Sequence, residues 1–166
     1  MDDVIFAKAF AKELEAEGPA SLKCLERIPA ALFDWKPHEK SMNMGYLALL
    51  VAEIPLWITH TIIHSEIDFA TFKHIQAKTT QDLVDHFNEN LAGAKDALLS
   101  IKDGDLSQKF YLKAGGKELM NMPKKESIES TINHMVHHRG QLTVYMRLND
   151  IPVPSIYGPS ADDKTF

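Results

Sequence analysis

Wound as a helix, the stretch MGYLALLVAEIPLWITHTIIHSE, which begins at Met44, is apolar around much of its circumference and has almost no face to give to water. A chain containing it must surround it with other elements, so this helix belongs at the centre of a bundle. Pro55 sits in its interior, where it removes one hydrogen bond and frees the carbonyl of Val51, so a kink is expected there. The longest apolar run, Tyr46 to Ile58, is broken by Glu53 and Pro55 and falls short of the ~20 residues that a membrane span needs. No membrane partner is expected.

Three further helical segments account for most of the remaining chain. The first starts at about Asp3, read as its N-cap, runs through Phe6, Phe10 and Leu14, meets Gly18-Pro19 and resumes with Leu22, Leu25 and Ile28. It is one kinked helix or two short ones, and the kink is favoured. The loop PAALFDWKPHEKSMN carries Trp35, expected to pack against a bundle end, and hands over to the central helix near Asn43. The third helix opens with TTQD, where Thr79 and Asp82 fit a capping box. It continues through Leu83, Phe87, Leu91, Ala94, Leu98 and Ile101, and Gly104 is expected to end it. The segment LSQKFYLKAGGKELMNMP alternates around Gly115-Gly116, as a short hairpin or an ordered loop. The fourth helix is expected to start after Pro123 and reach Asn149, where NDIPVP stops it. No repeat or Gly/Ser linker divides residues 1–166, so one domain is expected, long enough to bury a core of its own.

The charge pattern narrows the partners. Net charge is −5 with histidines neutral, and the 18 Lys and Arg are scattered, so the basic footprint that tracks a phosphate backbone is missing. Nucleic acid is not an expected partner. Cys24 is the single cysteine, which excludes an intramolecular disulfide and a cysteine-based zinc site; it falls on the apolar spacing of the first helix as core filler. The opening MDDVIFAKAF starts acidic and is interrupted by Lys8, unlike a secretory signal, which makes a reducing cytoplasm the simplest location.

Histidines supply the chemistry. On a wheel of the fourth helix with His134 at zero, His138 lies at about 40°, Tyr145 at about 20°, Gln141 near −20° and Thr131 near 60°. Leu142, Met135, Ile128 and Met146 flank this stripe on one side, and Leu148 and Val144 on the other, so it points inward. His134 and His138 therefore have the one-turn spacing that lets two imidazoles reach one ion. His137 reads as a boundary residue, and His38, His74 and His86 read as solvated. Catalytic metal sites usually show three protein ligands, and Glu53, His60 and His64 on the central helix are the candidates for the third.

The run HMVHHRGQLTVYMRLNDIPVPSIYGPSADD resembles the C-terminal signature of the DinB-like family, four-helix-bundle proteins related to bacillithiol transferases. DWKPHEKSMNMGYLALLVAEIPLW, EIDFA and MPKKE match the same family in order. The resemblance implies an all-α, DinB/YfiT-like four-helix bundle, commonly a homodimer, with a divalent metal, zinc or nickel, held by three histidines. Two of these match His134 and His138. The third belongs to a pattern similar to LA-x-H-x-AEIP, and here that position is Leu50, which cannot coordinate. Glu53, one turn away, is ranked above His60 and His64 as a substitute, because ten residues of rise from position 50 is about 15 Å. The resemblance further implies a thiol S-transferase or metal-dependent hydrolase acting on a small molecule, a low-molecular-weight thiol with an electrophile. Gln141 and Tyr145 would either orient the substrate or hold the histidines in place. The alternative is a non-catalytic, metal-free dimeric binding or scaffold protein whose pocket is lined by Leu50, Met135, His134 and His138.

Overall fold

The computed structural model describes residues 2–165. Helix α1 spans Asp3–Leu25 without a break at Pro19, which removes the two-helix alternative. Its cap is Asp2, whose carboxylate accepts from the N–H of Ile5 at 3.3 Å. Asp3, one residue inside, reaches across the molecule. Its carboxylate accepts from the N–H groups of Gly104 and Leu106 at 2.9 and 3.0 Å and so ties a distant loop to the start of α1. At Gly18 a Cβ would stand 2.8 Å from Leu91 Cδ2, so a larger residue there would push the end of the Leu91 side chain aside.

Helix α2 spans Met44–Ile63 and is capped by Asn43, whose Oδ1 accepts from Tyr46 N–H at 2.8 Å. Helix α3 spans Thr80–Leu99. Its capping box forms as expected, with Asp82 N–H donating to Thr79 Oγ1 at 3.1 Å and Thr79 N–H donating to Asp82 Oδ2 at 2.9 Å. It stops at Leu99 with Ser100 as the cap, and Gly104, at φ +96°, turns the loop beyond rather than ending the helix. Ile101 is buried all the same, as a member of the continuous core. Helix α4 spans Lys124–Leu148.

The connections carry the correction to the all-α expectation. Strands β2, Lys109–Ala114, and β3, Lys117–Pro123, form an antiparallel hairpin about Gly115 and Gly116, both at positive φ as a tight two-residue turn demands. Strand β1, Glu66–Asp68, leaves the end of α2 through Ser65 at φ +60° and pairs parallel to β2, giving a three-stranded sheet in the order β1-β2-β3. A three-residue strand is too short to show period-two alternation, so nothing in the local pattern announced it. The Asp68 carboxylate then accepts from the N–H groups of Ala70, Gly115 and Gly116, which fixes the hairpin tip to β1 and holds this acid below the ordinary carboxylate range.

Within the bundle α2 lies against α3 and α4, and α1 closes the outside against α3 and α4. By length and composition α2 is apolar enough to cross a membrane; here its apolar surface is covered by the neighbouring helices and supplies Leu47, Val51, Ile54 and Ile58 to a continuous core. Its buried Glu53 would be costly in hydrocarbon. After α4 the tail turns back across the bundle. Arg139, almost wholly buried, meets Glu17 Oε2 at 2.6 Å and donates to Tyr157 Oη at 2.7 Å and to Glu17 O at 3.1 Å. One guanidinium thus joins α1, α4 and the tail. Cys24 lies in the same core, where burial pushes its thiol up to about 11 and leaves it inert.

Candidate functional site

Helical spacing brings His134 and His138 together, and their Nε2 atoms stand 2.8 Å apart. His138 Nδ1 lies 2.8 Å from Gln141 Oε1, one turn further along α4. With the amide oxygen as acceptor, His138 Nδ1–H is the donor, and its Nε2 lone pair accepts from His134 Nε2–H. The three side chains form one hydrogen-bonded line. Burial pushes His134 down to about 4, helped by repulsion from His138 and His137, so the ring is neutral at ordinary pH. His138 is lowered chiefly by burial too, with the Gln141 hydrogen bond opposing the shift.

Gln141 is therefore placed to orient His138. Tyr145 shares the stripe but turns to the end of the bundle, where its hydroxyl donates to Met42 O at 3.2 Å and its ring takes the edge of Trp35 at 5.5 Å. This seats the Trp35 loop, as expected from the sequence. His137 is exposed beside the pair, with its ring 5.2 Å from that of His138.

Beyond His134 lies a hollow of about 90 Å³ between α2, α4 and the sheet. Trp57, Ile67, Phe110, Leu112 and Met122 supply its apolar walls, Thr61, Ser127, Ser130 and Thr131 its hydroxyls, and the partly exposed Met120 its rim. Trp57 presents its ring to His134 at 5.6 Å, and its buried Nε1–H has no acceptor among the described residues. Leu112, Met120 and Met122 come from the hairpin, which in the sequence pattern is only a connection. The hollow needs the sheet to exist, so helix periodicity alone does not reveal it.

Glu53 stands elsewhere. It is buried to 1% exposure, its Oε2 is bonded by Nδ1 of His74, and its Oε1 lies 3.7 Å from His86 Nε2. The carboxylate is thus committed to the α3 side of the bundle instead of completing a set with His134 and His138. His74 is exposed, as its polar surroundings suggested, but its ring is tied to this carboxylate; His86, with 12% of its side chain exposed, is not the solvated residue expected. A carboxylate inside an all-round apolar helix has to find partners, and that signal was available; which partners it finds depends on tertiary packing. His60 and His64 face each other at a ring separation of 4.9 Å near Phe72.

These positions test the metal centre that the resemblance implies. A tetrahedral ion bound at about 2.05 Å would hold two imidazole nitrogens about 3.3 Å apart; here they touch at 2.8 Å through a hydrogen bond. Leu50 is buried and apolar, Glu53 is engaged, and among the described residues no group of three or more His, Cys, Asp or Glu side chains is arranged to hold a metal ion. The residues do not fit a three-ligand centre.

Comparison with known proteins agrees with the fold. A sequence profile of the DinB family matches residues 3–165. A DinB-like protein from Bacillus cereus ATCC 10987 superposes with a TM-score of 0.69 at 21% identity, covering 90% of this chain and 97% of that one. A second DinB-like protein, YjoA from Bacillus subtilis, gives 0.66 at 16% identity over 87% and 95% of the respective chains. In sequence, the uncharacterized protein YrdA of Bacillus subtilis is 45% identical over 42 residues, a stretch that spans 25% of each chain.

Proposed function

Because the chain belongs to the DinB family, we propose that its site is a two-histidine derivative of a metal centre, working as a receptor for a small, largely apolar molecule with one hydrogen-bonding end. The observation that carries this reading is the hollow beside His134: apolar walls, no charged side chain among the described lining residues, and an imidazole held neutral at one end. A ligand with a short aliphatic stem fills such a space and gains roughly 0.8 kcal/mol per CH₂ group buried. Its polar end meets His134, whose tautomer is set by the line to His138 and Gln141. A low-molecular-weight thiol or alcohol has this chemistry.

The protein contains two tryptophans, Trp35 and Trp57, so a Trp35→Phe protein reports on the hollow alone. Titrating it with 2-mercaptoethanol and with 1-butanol should change Trp57 emission saturably. His134→Ala should weaken binding about fivefold, the equivalent of one neutral hydrogen bond of ~1 kcal/mol. An emission that drifts linearly with either compound, with or without His134, overturns the receptor reading.

The second reading, a zinc- or nickel-dependent thiol S-transferase or hydrolase in a homodimer, rests on the family resemblance and on the one-turn spacing of His134 and His138 along α4. Elemental analysis of protein purified without chelators, together with Leu50→His, separates the two. A metal-free wild type whose Leu50→His variant gains zinc affinity by orders of magnitude supports the receptor. A wild type carrying stoichiometric metal at His134 and His138 supports the enzyme.

A further inference from the structure

The α3 side of α2 holds a cluster that the histidine pair does not use. Glu53 Oε1 and His86 Nε2 are both buried, both lack a hydrogen-bond partner among the described residues, and face one another across 3.7 Å. That gap is too long for the charge-assisted hydrogen bond of about 2.7–2.9 Å that a protonated imidazole makes to a carboxylate. Two orphaned polar atoms in a core are expensive, and a buried carboxylate needs a positive charge beside it. We propose that Glu53 Oε1 and His86 Nε2 bind a divalent transition-metal cation of the zinc type, with His74 as the residue that orients the carboxylate.

The distances suit this occupant. A cation about 2.1 Å from each atom sees them at an angle of about 120°, near the tetrahedral opening. Imidazole nitrogen with carboxylate oxygen selects zinc and its first-row neighbours over magnesium or calcium. His74 Nδ1 bonds the other oxygen, Oε2, the arrangement in which a ligating carboxylate is itself held by a hydrogen bond. Asn90, one turn beyond His86 on α3, donates to Ala52 O at 3.0 Å and pins the two helices at this level. A surface hollow reaches His86 between Asp85 and Glu89, so the approach is acidic, with Lys78 on its edge. His86 lines that hollow and Glu53 does not, so water that completes the coordination has to enter past His86.

The test uses the full chain in a His134→Ala/His138→Ala background, which removes the other imidazole pair, with zinc chloride followed by calorimetry and cobalt chloride followed by visible absorption. One equivalent of zinc should bind, and cobalt should give a tetrahedral-type absorption band. Glu53→Gln and His86→Phe should each abolish both signals, and His74→Ala should weaken zinc binding about 10–100-fold. Far-ultraviolet circular dichroism checks each fold, and if Glu53→Gln is unfolded, His86→Phe alone decides. The proposal is overturned if the double-alanine protein binds no zinc, as when water alone bridges the gap, or if binding survives His86→Phe, as when the His60–His64 pair holds the ion.

Discussion

Arg139 shows how one residue can organise three segments. Its guanidinium is enclosed by Glu17, Ser21 and Tyr157, and each of these partners comes from a different turn of α1 or from the tail. Replacing the pair by apolar side chains of similar size need not cost stability, but breaking it does, because a buried charge is left alone. Glu17→Ala should therefore destabilise the fold by about 3–5 kcal/mol, read as a lower urea midpoint with an unchanged slope. Glu53 is a second buried charge, on α2, whose bonded partner is His74 in place of a guanidinium. Glu53 was visible in the sequence as a charge in an apolar run, whereas Arg139, between His138 and Gly140, was not. Nor were their partners, since Glu17, His74 and His86 lie on other elements and no local period links them.

At the scale of elements, signals confined to a few residues survived intact. Asn43 before α2 and Thr79 with Asp82 before α3 act through bonds to neighbours within four positions, and Gly115-Gly116 act through their own positive φ, which is why they could be read directly. Signals that needed a partner further away did not. Gly104 looks like a helix terminator, yet its N–H is taken by Asp3 across the molecule, and α3 ends five residues earlier. Strand β1 exists because β2 offers it an edge, and Asp68 seals the arrangement through three backbone N–H groups. Asp68→Ala should leave the helices intact while speeding amide hydrogen exchange at Gly115 and Gly116, measured residue by residue. Unchanged protection at both glycines would mean that the turn needs no such clamp. Because β2 and β3 wall the hollow beside His134, the same variant should also weaken small-thiol binding.

For the whole molecule, the tail behind α4 is held by acids as well as by Tyr157. Asp163 accepts from Thr165 Oγ1, Thr165 N–H and Ser155 N–H, and these bonds, the hydroxyl first, hold its carboxyl down at about 2, from an ordinary value of 3.8. A carboxylate with a lowered folded value stabilises the docked tail at all pH above its unfolded value, and that contribution is lost as pH falls from about 3.8 through about 2. Limited pepsin digestion across this window should cut the tail increasingly toward pH 2, whereas Asp163→Asn should be cut equally throughout. Ile156 packs against the core as an apolar tail residue must, while Tyr157 stays largely exposed and engages the bundle through its hydroxyl, a clasp on Arg139 that no sequence pattern announces.

That clasp also sets an order of events during synthesis. Glu17 leaves the ribosome first, Arg139 follows 122 positions later, and Tyr157 comes 140 positions after Glu17. Neither the guanidinium nor the phenol can reach the acid until nearly the whole bundle has been translated. Throughout that interval the nascent first helix carries an unanswered negative charge on the side where the finished protein closes.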